Sequence, residues 1–285
     1  MSAAHGRSPE ASGRAVVLGA GGVVGTAWMI GLASGLRRHG VDLAETDLIV
    51  GTSAGAIVGA MLATGEDLDR FAEFPRPAGT GAAATRVDQE LLAQVFAVLG
   101  DPGLEPAEAR RRAGQLASAA GVGSEHAHIA RMASLISARD WPDGRLLIAA
   151  VDAGTGEPVV LDRAAGVPLL SAVAASCAMP GAYPPITVNG RRYVDGGLVS
   201  PTNAGLARDS RALVLVEPLA HLFPGEPPGR DTAAGVPRTV TLVAPDPAAV
   251  AAFGPDLFGA AAWVPAYRAG IRQSGDAARR ILGVD

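Results

Sequence analysis

The 285-residue sequence contains no lysine, so all 24 of its basic side chains are arginines. Its one cysteine, Cys177, excludes an intrachain disulfide and a cysteine-rich metal site. Cys177 stands in a run of small residues without an obvious histidine partner, and we expect a buried structural thiol. The only basic run, Arg110–Arg112, is interpreted as a solvated helix face, and the net charge is −4. The composition therefore indicates no nucleic-acid partner.

Charge is also missing from Ala15 to Leu36, a run of 22 residues that is long enough to suggest a membrane span. Six glycines interrupt this run. We therefore interpret it as a short strand, a glycine loop and a buried helix that begins near Gly25 and ends near His39. Removal of the run as a signal peptide would destroy the loop, so a cytoplasmic location is expected. Residues 1–14 are polar and predict a frayed tail.

The sequence Gly51-Thr-Ser53-Ala-Gly55 follows the apolar run 48–50 and precedes the apolar run 56–62. A serine between two glycines on a strand-to-helix turn is typical of a nucleophile elbow, in which a strained backbone exposes the serine Oγ. Glycine on both sides lets the strand and the helix approach closely. The motif Gly51-x-Ser53-x-Gly55 is short enough to arise by chance. The interpretation therefore depends on the apolar runs before and after it and on the other motifs of the sequence.

A second glycine-rich segment, residues 19–25, follows the predicted first strand 14–18 and opens a helix. Backbone N–H groups of such a loop can stabilise an anion. The competing interpretation is a dinucleotide-binding fingerprint, but the third glycine of that pattern would fall at Val24. Because loops at the carboxyl ends of neighbouring parallel strands converge, we expect Gly21 and Gly22 to lie near Ser53.

Asp195 is the best-placed candidate for a general base. It ends a predicted strand and is followed by Gly196 and Gly197, which would let its carboxylate project freely. Burial could raise its pKa toward neutrality, as a base for Ser53 requires. Two alternatives remain open: Asp195 as a simple turn residue, and a triad that uses His221, the one histidine at a triad-like position.

Alternating apolar strands and helices predict a parallel sheet buried between helices. Residues 75–140 predict a helical insertion that would form a lid, and residues 75–86 a flexible junction at its start. A hairpin is expected around Asn189-Gly190. A final helix is predicted over 260–282, with Trp263, Tyr267 and Ile271 facing the core.

In this order, the glycine loop, the serine motif and Asp195-Gly196-Gly197 resemble the patatin-like phospholipases, with the similarity spanning about residues 16–207. The resemblance implies one patatin-like domain over 15–285, a three-layer α/β/α fold with a mainly parallel central sheet. It also implies a Ser-Asp dyad without histidine, and neither metal nor cofactor. The implied site residues are the nucleophile Ser53, the base Asp195, the oxyanion-hole amides of Gly21, Gly22 and Val23, and the motif glycines Gly25, Gly51, Gly55, Gly196 and Gly197.

Two positions depart from the family's Gly-Gly-Gly-x-Arg-Gly loop: Ala20 replaces the first glycine and Val24 the arginine. Backbone donors survive both changes, but a fixed cation is lost, which weakens the case for anionic phospholipids. We therefore expect an acyl hydrolase of the esterase or lipase type, acting on a lipid or ester, including one at a membrane surface. The alternatives are an acyltransferase with the same dyad and a nucleotide-binding regulatory module.

Overall fold

The computed structural model describes residues 13–73, 87–222 and 239–284. Most of the predicted tail and the predicted junction 75–86 lie outside these residues. The first strand begins at Arg14 and ends at Leu18, as predicted. The described residues form one eight-stranded sheet. Its strands are β1 (Arg14–Leu18), β2 (Leu48–Thr52), β3 (Leu146–Asp152), β4 (Pro158–Leu161), β5 (Ile186–Val188), β6 (Arg191–Asp195), β7 (Ala212–Val216) and β8 (Thr239–Val243).

The sheet is mainly parallel, as the alternation of strands and helices predicts. Its order is β5-β6-β3-β2-β1-β7-β8, and β4 pairs with β3 in addition. The stretch from β3 through β2, β1 and β7 to β8 is parallel throughout, whereas β4, β5 and β6 pair in antiparallel fashion. The predicted hairpin is confirmed, because β5 and β6 flank the turn at Asn189 and Gly190, where both residues have positive φ.

Eight α-helices surround the sheet in the described residues. They are α1 (Gly22–Arg38), α2 (Ala54–Ala63), α3 (Gln89–Leu99), α4 (Pro106–Ala119), α5 (Glu125–Leu135), α6 (Leu169–Ser176), α7 (Pro247–Phe253) and α8 (Trp263–Leu282). The predicted first residues of two helices were wrong. The first helix begins at Gly22 rather than Gly25, and the last begins at Trp263, after a single 3-10 turn over Ala260–Ala262.

The two faces of the sheet bury different residues, as strand geometry requires. In β1, Val16 and Leu18 join the larger core with α1, α2, α6 and α8. Ala15 and Val17 point the other way, where a short 3-10 helix over Ala204–Ala207 covers the middle of the sheet. On this second face α3 and α4 pack over β3 and β6. The result is the expected three-layer arrangement.

The helices of the predicted insertion belong to both outer layers. Val95 of α3 and Ala113 of α4 pack beneath β3 with Val151. Met132 and Leu135 of α5 instead join the larger core on the opposite face. Because these side chains are buried in the hydrophobic cores on the two faces of the sheet, α3, α4 and α5 are part of the packed fold.

The uncharged run from Ala15 to Leu36 folds as predicted, into β1, the glycine loop and the buried helix α1. Within the described ranges, no helix is both long and apolar enough to cross a membrane. The packing predicted for the last helix is confirmed. Trp263 and Tyr267 are buried in the larger core, and Ile271 packs against it.

Candidate active site

Ser53 occupies the turn between β2 and α2. Its φ of 53° and ψ of −118° are unusual for a residue with a side chain, and such a backbone conformation costs on the order of 1–3 kcal/mol. The glycines beside it are sterically required. A Cβ on Gly55 would lie 1.8 Å from the Leu18 carbonyl oxygen, and a Cβ on Gly51 would lie 2.6 Å from the Ala56 Cα. The elbow therefore depends on backbone contacts that no other residue type permits.

The structure brings Ser53 and Asp195 together. The Ser53 Oγ donates a 2.7 Å hydrogen bond to Asp195 Oδ2, and the Gly197 N–H donates one of 2.7 Å to Asp195 Oδ1. Asp195 has no exposed surface. Burial raises its pKa to about 7, against the opposing effect of the hydrogen bonds from Gly197 and Ser53. A carboxylate with a pKa near neutrality is suited to accept a proton and return it.

Asp195 is fixed in place by close backbone packing. It ends β6 opposite Ala150 of β3, and its N–H donates to the Ala178 carbonyl oxygen at 3.1 Å. A Cβ on the following Gly196 would lie 2.4 Å from the Ala149 carbonyl oxygen. The Asp-Gly-Gly sequence thus lets the chain turn directly against β3.

The glycine loop lies beside Ser53 and lines the same cavity. Among the described residues, neither the Gly21 N–H nor the Gly22 N–H donates a hydrogen bond to the protein. The prediction of Val23 as a third donor is not supported. The Val23 N–H donates to the Leu257 carbonyl oxygen at 2.8 Å, and the Val24 N–H donates to the same oxygen at 3.3 Å.

Sequence reasoning missed two polar residues of the site, Ser176 and Asn203. Ser176 Oγ accepts a 2.9 Å hydrogen bond from the Ser53 N–H. The Asn203 Nδ2 group donates to Thr52 Oγ1 at 3.0 Å and to the Gly196 carbonyl oxygen at 3.2 Å. It thereby connects the residue before Ser53 with the residue after Asp195. No local pattern around Ser176 or Asn203 indicated these contacts.

Cys177 is buried, as expected, but it also lines the cavity beside Ser53. Its Sγ–H donates to the Ser53 carbonyl oxygen at 3.1 Å. Burial, aided by the charge of nearby Asp195, raises the pKa of Cys177 well above its ordinary value. The thiol is therefore protonated at neutral pH and acts as a hydrogen-bond donor rather than as a nucleophile.

Neither His221 nor His128 forms a hydrogen bond with Ser53 or Asp195. The His221 ring packs against Phe253 at a centroid distance of 6.0 Å. His128 lines the cavity, but its Nε2 lies 3.1 Å from the Ala174 carbonyl oxygen and its ring stacks on Tyr183. Burial lowers the pKa of His128 to about 4, so its ring is neutral at pH 7. The geometry gives no support to a triad.

A cavity of about 290 Å³ opens beside Ser53. Its walls are mostly apolar, and α3 and α5 of the predicted insertion contribute Leu92 and Met132 to them. Phe96 and Leu222, which also line the cavity, are 56% and 49% exposed. The apolar walls suit a hydrocarbon chain, whereas the phosphates of a nucleotide would need more charged or polar partners.

Arg131 is the one charged side chain among the described residues that line this cavity. Its guanidinium lies over the Tyr183 ring, 5.6 Å from the centroid. Val24 is fully buried in the larger core, so the position where the family has arginine carries a core side chain here. Arg131 approaches the cavity from α5 rather than from the glycine loop.

These features define a class: a mainly parallel α/β protein with a serine on a nucleophile elbow, paired with a buried aspartate. The sequence model of the patatin-like phospholipase family matches residues 16–208, well over half of the chain. The chain belongs to the patatin-like phospholipase family.

Two curated relatives are each 30% identical to this chain over 187 residues. They are an uncharacterized NTE family protein of Mycobacterium tuberculosis (strain ATCC 25618 / H37Rv) and one of Mycobacterium bovis. The matched region is 66% of this chain and 43% of each relative, so the chain spans less than half the length of the curated relatives it matches.

Two solved structures are similar to this chain at lower sequence identity. VipD from Legionella pneumophila is 13% identical with a TM-score of 0.41, covering 94% of this chain and 67% of that one. The type III effector protein ExoU is 20% identical with a TM-score of 0.33, covering 96% of this chain and 54% of that one. The family assignment rests on the sequence match.

Proposed function

We propose that this protein is a lipid acyl hydrolase, of the esterase, lipase or phospholipase A type, that works through a Ser53–Asp195 dyad and an acyl-enzyme. The observation that carries the proposal is the 2.7 Å hydrogen bond between these side chains at the wall of an apolar cavity. Membership of the patatin-like phospholipase family supports the same reaction class.

In the first half of the reaction, ionised Asp195 accepts the hydroxyl proton of Ser53 while the Oγ attacks the ester carbonyl carbon. The charge that develops on the carbonyl oxygen is stabilised by the free N–H groups of Gly21 and Gly22. Protonated Asp195 then donates its proton to the leaving oxygen, the C–O bond breaks, and the alcohol departs. The acyl group remains on Ser53.

In the second half, water enters where the alcohol has left. It gives a proton to Asp195 as its oxygen attacks the acyl carbon. Collapse of this intermediate releases the carboxylic acid, and Asp195 returns the proton to the Ser53 Oγ. One carboxylate thus serves both halves, which is consistent with burial that raises the pKa of Asp195 to about 7.

A fluorophosphonate probe tests the nucleophile, because it reacts only with an activated serine. We expect the folded wild-type protein to be labelled at Ser53 and the Ser53→Ala variant to remain unlabelled. Ser134→Ala is the matched control, since Ser134 lines the same cavity without contacting Asp195. Peptide mapping by mass spectrometry locates the label. An unlabelled wild type, or a label at another residue, overturns the proposal.

The cavity further supports an acyl chain as the group that is held. A cavity of about 290 Å³ with mostly apolar walls is large enough to hold a hydrocarbon chain of medium length. We expect kcat/KM for p-nitrophenyl esters to rise with chain length up to a medium length and then to level off or fall. A preference for acetate over all longer esters would contradict this assignment.

Arg131 supports an additional contact to an anionic group next to the ester, such as a phosphate. The test compares lysophosphatidic acid with monoacylglycerol of the same acyl chain. Arg131→Gln should lower kcat/KM for the phosphate-bearing ester and leave the neutral ester nearly unchanged. Arg139→Gln, on an exposed residue outside the cavity, is the control. An equal loss on both esters would exclude this contact.

Hydrolysis and acyl transfer share the acyl-enzyme and differ only in the acceptor. Products should therefore be analysed with and without added glycerol. Free fatty acid as the main product in both cases is expected for a hydrolase. Acylglycerol as the main product when glycerol is present would replace the proposed hydrolase by an acyltransferase.

A further inference from the structure

The strained backbone of Ser53 needs support from outside its own turn. A non-glycine residue with φ of 53° persists only when surrounding contacts hold it. The flanking glycines make the turn sterically possible, and the Ala56 N–H of α2 donates to the Ser53 carbonyl oxygen at 2.8 Å, but the Ser53 N–H has no acceptor within the turn. Two side chains from the end of α6 contact the peptide groups on either side of Ser53.

The first contact is made by Ser176, the last residue of α6. Its Oγ accepts a hydrogen bond of 2.9 Å from the Ser53 N–H. Ser176 has no exposed surface, so solvent does not compete for this hydroxyl. A fully buried N–H that loses its acceptor carries a desolvation penalty of about 1–3 kcal/mol, and the partly buried Ser53 N–H carries a smaller one. The hydroxyl therefore favours the present orientation of the peptide that precedes Ser53.

The second contact is made by Cys177, the next residue in the chain. Its Sγ–H donates to the Ser53 carbonyl oxygen, with a sulfur-to-oxygen distance of 3.1 Å. Because the pKa of Cys177 is raised by burial, the thiol keeps the proton that this contact needs. The peptide groups on either side of the nucleophile are thus bonded to consecutive residues of one helix end.

The same segment also bonds to the base. The Ala178 carbonyl oxygen accepts the Asp195 N–H at 3.1 Å. Ser176, Cys177 and Ala178 therefore form a continuous three-residue bridge between the backbones of Ser53 and Asp195, which are 142 positions apart. A short segment that is hydrogen-bonded to the backbones of both residues restrains the distance between them.

We infer that Ser176 and Cys177 are positioning residues, whose side chains hold the backbone of Ser53 in its strained conformation so that the Oγ stays within reach of Asp195. The inference rests on the proposed function of the dyad. A displacement of about 1 Å at a reacting group can cost on the order of 100-fold in rate. We therefore expect Ser176→Ala and Cys177→Ala each to lower kcat about 10- to 100-fold with little change in KM.

The matched pair at position 177 separates hydrogen bonding from packing. Cys177→Ser and Cys177→Ala remove the same sulfur, but only the serine variant keeps a donor for the Ser53 carbonyl. Cys177→Ser should therefore recover most of the kcat that Cys177→Ala loses. At position 176 the control is Ser274→Ala, which removes another buried hydroxyl, one that bonds within α8. Equal kcat for the two cysteine variants, or equal loss in Ser176→Ala and Ser274→Ala, would overturn the inference.

Amide hydrogen exchange at Ser53 gives a measurement that does not depend on activity. The Ser53 N–H should exchange slowly in the wild type and at least tenfold faster in Ser176→Ala, while amides in the centre of α8 keep their rates. Unchanged exchange at Ser53 would exclude the Ser176 contact. If the wild type neither reacts with fluorophosphonate nor hydrolyses esters, the proposed function fails, and the exchange rates still decide whether the bridge exists.

Discussion

Ser53 and Asp195 share a hydrogen bond of 2.7 Å although 142 positions separate them in the sequence. Ser53 follows β2 and Asp195 ends β6, and both of these strands pair with β3. One strand therefore sets the spacing of the two side chains. Because Asp195 is fully buried and its pKa is raised, we expect the ionisation of its carboxyl group to affect both the proposed reaction and the stability of the fold.

The dependence of the rate on pH should show the raised pKa of Asp195. Burial raises this pKa to about 7, and Asp195 can act as the proposed base only when it is ionised. We expect kcat/KM for a neutral ester to fall about tenfold per pH unit below pH 7 and to reach a plateau above it. Thermal melts over the same range control for unfolding. A midpoint near pH 4 would mean that the carboxyl behaves as a solvated one.

Asp195→Asn should remove activity and increase stability at alkaline pH. The pKa of Asp195 is higher in the folded state than its ordinary value of 3.8, so its contribution to stability is present below pH 4 and is lost as pH rises toward 7. At about 1.4 kcal/mol per pKa unit, the penalty at pH 8 is about 4 kcal/mol. The variant lacks this charge, while Gly197 can still donate to its amide oxygen.

The measurement is urea unfolding of the wild type and Asp195→Asn at pH 5 and pH 8. The variant should be more stable at pH 8, by up to about 4 kcal/mol, with a smaller gain at pH 5. Its kcat should be lower by about 100-fold or more. A variant that is less stable than the wild type at pH 8 would show that ionisation of the buried Asp195 carboxyl does not destabilise the fold.

Asn203 should be required for a correctly formed site. Its Nδ2 group donates to Thr52 and to Gly196, and its φ is 51°. Asn203→Gly keeps the left-handed backbone and removes the side chain, so it should cost about 1–3 kcal/mol of unfolding free energy and lower kcat. Asn203→Ala should cost about 1 kcal/mol more, because alanine disfavours positive φ. Equal stability of the two variants would show that the positive φ at position 203 does not favour glycine over alanine.

Gly55→Ala should damage the elbow more than an ordinary glycine substitution. The added Cβ would lie 1.8 Å from the Leu18 carbonyl oxygen, so β1 and α2 would have to separate. We expect a loss of about 3 kcal/mol or more and no labelling by fluorophosphonate. Gly144→Ala is the matched control, since a Cβ there has no neighbour within 4 Å. A Gly55→Ala variant as stable as Gly144→Ala would contradict the packing described for the elbow.

Much of the fold could be predicted because its signals are local. Apolar strands followed by helices, Asn189-Gly190 at the hairpin turn, and glycines on both sides of Ser53 each specify a conformation within a few residues. The start of α1 was predicted too late because residues 19–25 were all interpreted as the glycine loop, whereas the helix begins at Gly22. The Leu257 carbonyl oxygen, which bonds to the N–H groups of Val23 and Val24, supports this start from a distant part of the chain.

The parts of the site that were missed depend on contacts between distant residues. Ser176 contacts Ser53 across 123 positions, and Asn203 contacts Thr52 across 151. Nothing in the residues around either position distinguishes a buried hydroxyl or amide that bonds to the site from one that bonds elsewhere. For the same reason the Val23 amide looked free, since its partner Leu257 is separated from it by most of the chain.

The hydrogen bond from the Val23 N–H to the Leu257 carbonyl oxygen limits how far the chain can be truncated. The family match ends at residue 208, yet Leu257 lies beyond it, as does β7, which pairs with one side of β1. A protein shortened to the matched region would leave β1 with an unpaired edge and the start of α1 without the carbonyl that receives two of its N–H groups. The part of the sequence that matches the family is thus shorter than the part of the chain whose contacts hold the glycine loop.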